Sequence, residues 1–138
     1  MWHRFRACLA PVAALALGVL LSSCSGQTIT VGDTAVLVSK RTGDGMDARG
    51  GGRVEVVGGC LGASGNVIVW PHGTRVTDES PLTISIPDYG TFALGDDVEV
   101  GGGFVLEHSD TTVKPGPYEV GGVTVPANCA EYDIFLAH

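Results

Sequence analysis

The order of hydrophobic and polar positions divides the chain near residue 24. Leu9 to Leu21 is a thirteen-residue apolar run containing Pro11 and Gly18. Ahead of it, Met1 to Arg6 hold Arg4 and Arg6 and no acid, and after it come Ser22, Ser23 and Cys24. Nothing polar alternates within the run, as a helix packed on a core requires. The run also falls short of the roughly 20 residues that a membrane span needs. A basic start, a short apolar stretch and small residues before a cleavage point form the pattern of a secretory signal peptide. Residues 1–23 are therefore assigned to a signal, 24–33 to a polar tether and 34–138 to one domain, best defined over 53–138.

Beyond residue 33 the pattern predicts strands. Thr34–Ser39, Arg53–Val57, Thr91–Leu94, Val98–Val100, Phe104–Leu106, Tyr118–Val120 and Val123–Val125 are short Val-rich or aromatic segments bounded by turn residues. Asn66–Trp70 is stopped by Pro71, and Leu82–Ile86 alternates so that Leu82, Ile84 and Ile86 share one face. Lys40–Gly52 is expected as a solvated loop, its basic residues interrupted by Asp44 and Asp47. Asn128–His138 is open to two readings. Asn128 with Glu131 suits a helix start, while the alternation of Ala130, Tyr132, Ile134 and Leu136 favours a final strand. Three echoes (Glu55-Val-Val-Gly-Gly59, Glu99-Val-Gly-Gly102 and Glu119-Val-Gly-Gly122) place double glycines after strands. Such bends are expected where a small sheet coils or closes. The expected fold is all-β, a small closed or partly open antiparallel barrel.

Composition sharpens this picture. The whole chain is 138 residues with 44% hydrophobic content and a formal charge of −7. Loss of residues 1–23 leaves 115 residues, and loss of Arg4 and Arg6 makes the charge −9. Among those 115, Val supplies 16 and Gly 20, which favours strands and turns over helices. So acidic a chain lacks the clustered Lys and Arg that displace counterions, so nucleic acid is excluded as a partner. Anionic lipids would repel it as well, so charge is expected to keep the domain clear of a membrane surface.

Leu21-Ser22-Ser23-Cys24 resembles the bacterial lipobox. The resemblance implies a diacylglyceryl thioether on Cys24, cleavage before it, and acylation of the new amino terminus; the alternative is plain secretion with a free thiol. Two or more acyl chains anchor stably where one does not. Cys8 leaves with the signal, so Cys60 and Cys129 remain as an even pair in an exported chain, and a disulfide between them is expected.

Motifs that carry chemistry are few. His72, His108 and His138 show no metal-ligand spacing, and no Cys-x-x-Cys occurs. Asp96-Asp97 suit a turn cap better than a cation site with Asp110. Gly62-Ala-Ser64-Gly65 lacks the spacing of a nucleophile elbow, and the glycine clusters precede no phosphate-binding helix. No metal or cofactor is called for, and the chain is not expected to be an enzyme. Trp70-Pro-His72-Gly-Thr74 stands out: Trp70, His72 and Thr74 are a candidate binding rim, with Trp70 as a stacking platform. The bland alternative has Trp70 packed over the core.

Gly58-Gly-Cys-Leu-Gly62, Val69-Trp-Pro-His-Gly-Thr74, Leu94-Gly-Asp-Asp-Val98 and Val125-Pro-Ala-Asn-Cys129 resemble a group of small exported actinobacterial-type lipoproteins with no assigned activity. The strand order is also similar to a five-stranded OB-type barrel, a fold that names no ligand. The leading expectation is a non-enzymatic module held at the outer face of the plasma membrane by lipid on Cys24, binding an envelope protein or glycan. The alternative is a barrel carrying a small apolar ligand. A hydrolase ranks last, since no base and nucleophile pair can be named.

Overall fold

The structure is a computed structural model and describes residues 25–41, 45–109 and 114–138. The segment expected to be a signal, Cys24 and Asp110 lie outside the described residues. In chain order the first strands are β1 (Gln27–Val31), β2 (Thr34–Val38), β3 (Ala48–Val57), β4 (Cys60–Ala63), β5 (Asn66–Trp70) and β6 (Arg75–Glu79). They are followed by β7 (Leu82–Ile86), β8 (Gly90–Ala93), β9 (Asp97–Leu106), β10 (Tyr118–Val120), β11 (Val123–Val125) and β12 (Ile134–Ala137).

Seven strands form one sheet in the order β1-β2-β4-β3-β9-β12-β5, with β5 also meeting β4 and β2. Strands β6-β7-β8 form a second sheet and β10-β11 a third. The antiparallel OB-like barrel expected from the glycine bends is therefore corrected. Among the described residues there are twelve strands in three sheets, β1 ends the large sheet as an edge, and β2–β4, β2–β5 and β12–β5 pair in parallel.

Parallel pairing goes with strands covered on both faces, and β2, β5 and β12 are of this kind. Val36, Val38, Ile68, Trp70, Phe135 and Ala137 enter one core, which Leu82, Ile84 and Ile86 of β7 complete. Leu37, Val67, Val69 and Ile134, on the other faces, enter a second core beneath Val123 and Val125. The disulfide joins Cys60 to Cys129 in that second core, with Cα atoms 5.9 Å apart, as expected.

The double glycines serve two different ends. Gly58-Gly59 and Gly121-Gly122 are two-residue hairpin turns, all with positive φ, joining β3 to β4 and β10 to β11. Gly102 instead lies within β9, where a Cβ would sit 2.0 Å from the Leu136 carbonyl oxygen. The echo is a sequence coincidence, which is why it misdirected the fold.

Three segment assignments also change. Ser25–Asp33 is no tether: β1 pairs with β2 along its whole length, and Ile29 and Val31 pack on the first core. Part of the expected 40–52 loop, Ala48–Gly52, is the first half of β3 and pairs with β9. Asn128–Tyr132 is turn, and the period-two reading holds for Ile134–Ala137.

Candidate functional site

Strand β5 ends where Pro71 removes a backbone donor. Trp70, its last residue, is fully buried, and its indole N–H donates to the Leu61 carbonyl at 3.2 Å. After Pro71 the chain turns tightly. The Thr74 amide and hydroxyl both donate to the Pro71 carbonyl, at 3.1 and 2.7 Å, and Thr74 is itself fully buried. The stacking platform is thus corrected: Trp70 and Thr74 hold the turn from below and expose nothing to a ligand. A Trp at a strand end reads the same in sequence whether a sheet covers it or not, and here β7 covers it.

His72 alone of the three stays at the surface. Its Nδ1–H donates to the Ser39 carbonyl at 3.3 Å. Facing it across a groove of about 580 Å³ is the loop between β7 and β8, Pro87-Asp88-Tyr89; Arg41 and His138 complete the lining. Asp88 takes φ +68°, a left-handed conformation that aspartate and asparagine adopt more readily than most residues. Tyr89 is the organising group. Its phenolic oxygen accepts the Gly101 amide at 2.9 Å and donates to the His138 carbonyl at 3.1 Å. The His138 amide in turn donates to the Gly101 carbonyl at 3.0 Å, and its Nε2 pairs with the Met46 carbonyl.

Tyr89 and His138 are shared between this trough and a second hollow of about 300 Å³, which Asp47, Arg49 and Glu99 also line. Within it Arg49 and Glu99 form an exposed ion pair at 2.9 Å. The trough carries the Tyr89 ring, the imidazoles of His72 and His138, the Arg41 guanidinium and the Asp88 carboxylate. It suits a ligand rich in hydroxyl and amide groups, with the tyrosine ring as an apolar stop.

The other sequence candidates are placed elsewhere. Asp96 caps its turn by accepting the Ala93 amide at 2.9 Å. His108 pairs with Asp133 far along the chain, at 3.2 Å. Ser64-Gly65 is the β4–β5 hairpin turn. Among the described residues no cluster of three or more His, Cys, Asp or Glu is arranged to hold a metal ion. Sequence reasoning missed Arg41, Asp88 and Tyr89 as site residues and did not join His138 to His72, because sheet pairing brings these distant segments together. Comparison with family models, curated proteins and solved structures finds no match.

Proposed function

We propose that this chain is a lipid-anchored extracytoplasmic envelope protein whose role is non-enzymatic binding of an envelope glycan or protein. The anchor rests on the lipobox resemblance at Cys24. The binding role rests on one observation, the trough in which His72, Asp88, Tyr89, Arg41 and His138 converge. Its mixed polar lining favours a glycan, whose hydroxyls use donors and acceptors together while a ring face meets Tyr89. The carrier alternative finds no support. The core it would empty is filled by Trp70, Phe135, Leu61, Ile68 and Ile84.

Co-sedimentation of the mature protein with purified envelope glycan tests the proposal. Tyr89→Ala and Arg41→Ala should each weaken binding about tenfold, the loss of about 1.4 kcal/mol expected when a central contact is truncated. Equal sedimentation of both variants and the parent would overturn it.

A further inference from the structure

We infer that the face formed by the end of β9, β10 and β12 is the face on which the mature protein rests against the outer leaflet holding its anchor. This rests on the proposed lipidation of Cys24. The argument begins with where the folded chain starts. The Gly26 amide donates to the Gly122 carbonyl at 3.1 Å, and a Cβ at Gly26 would lie 2.7 Å from the Val38 carbonyl oxygen. Gly26 is therefore packed into the β10–β11 turn. Only Ser25 stands between it and Cys24. At about 3.6 Å per residue, the lipid-bearing residue lies within about 7 Å of Gly26. The slack that a ten-residue tether would give is not there, and the bilayer must lie close to this turn.

What flanks the turn is mainly apolar. Gly121 lines a hollow of about 280 Å³ with Val105, Leu106, Tyr118, Val120, Ile134 and Leu136, and Glu119 is the one charged residue of that lining. Val105 is 41% exposed. Strand β10 pairs only with β11, so its outer edge is unpaired among the described strands. Tyr118 offers the ring with a polar tip that suits a headgroup layer. The Lys40 amide donates to the Gly121 carbonyl at 2.8 Å and its side-chain stem lies against Gly122, which brings a cationic residue to this turn. Glu119 on the same hairpin, accepting from Thr124, offsets that charge. Contact is thus made by apolar groups next to the lipid, while the acidic surface elsewhere stays away from anionic headgroups.

The test uses the lipidated mature protein in vesicles of phosphatidylethanolamine and phosphatidylglycerol containing a nitroxide-labelled lipid. One fluorophore is placed through Val105→Cys and, separately, through Asp33→Cys, at the far end of β1. Five residues at about 3.3 Å put that turn about 16 Å from Gln27. The label at 105 should be quenched severalfold more than the label at 33. Equal quenching, or stronger quenching at 33, with acylated Cys24 verified by mass, overturns the face assignment and leaves the anchor standing. Unacylated Cys24 overturns both. A stable dimer that buries Val105 in detergent would assign the patch to a second copy and overturn the inference too.

Discussion

Replacing Trp70 separates a residue that supports a site from one that touches a ligand. A buried tryptophan withdraws about 150–250 Å² from water, which at about 25 cal/mol/Å² is roughly 4–6 kcal/mol. Alanine keeps part of that area, and it leaves a void in the core cluster that Trp70 shares with β7 and β12 residues; the paired strands limit how far that void can collapse. Trp70→Ala should therefore cost about 3–5 kcal/mol, a large share of the 5–15 kcal/mol available to a domain of this size. Trp70→Phe keeps most of the ring but forfeits the indole bond to the Leu61 carbonyl, so a cost of about 1–2 kcal/mol is expected. Urea unfolding followed by far-ultraviolet circular dichroism measures both, with a constant slope confirming that stability alone has changed. Trp70 is the sole tryptophan after residue 2, so in the mature parent iodide quenching of fluorescence reports its exposure directly. A change within about 0.5 kcal/mol for Trp70→Ala, the range of surface substitutions, together with ready iodide quenching, would falsify the burial and restore Trp70 as a platform.

The other predictions concern the staple, the glycines and the trough. Reducing the Cys60–Cys129 bond, or replacing both residues by alanine, opens a loop of sequence separation 69 and should cost about 4 kcal/mol, read as a lowered urea midpoint. Gly102→Ala forces a Cβ to 2.0 Å from the Leu136 carbonyl and should cost several times more than Gly65→Ala. The latter has positive φ but open space and should lose only about 1 kcal/mol by the same melts. Tyr89→Phe removes the bridge between the Gly101 amide and the His138 carbonyl. It should cost about 1 kcal/mol and speed hydrogen exchange at Gly101, and unchanged exchange there would show that the bridge does not hold the C-terminal residue.

Local pattern carried the strand content but not the pairing. Asn66–Trp70 and Leu82–Ile86 announce themselves because alternation and a following proline act within a few residues. Which strand lies beside which depends on faces that only burial defines. β2 and β5 are apolar on consecutive positions, and that run equally fits a strand covered on both sides, which is what the second core makes of it. The β1 hairpin escaped notice because Thr28 and Thr30 disguise Ile29 and Val31 as part of a polar spacer. The Cys60–Cys129 pair, by contrast, needed no tertiary knowledge, since the expected loss of Cys8 and lipidation of Cys24 leave an even pair. The trough was only partly legible. His72 stood out through its neighbours Trp70 and Pro71, whereas Tyr89 and His138 are 49 residues apart and meet only because β12 delivers the chain end to β9 beside the β7–β8 loop.

Everything functional turns on whether that trough receives a ligand. The most direct measurement is an amide chemical-shift titration of the isotope-labelled mature protein with soluble fragments of envelope glycan. Saturable shifts confined to Gly73, Asp88, Tyr89, Gly101 and His138 are the expected result. Shifts that do not saturate, or that cluster at a remote turn such as Gly32-Asp33 while the trough stays silent, would contradict it.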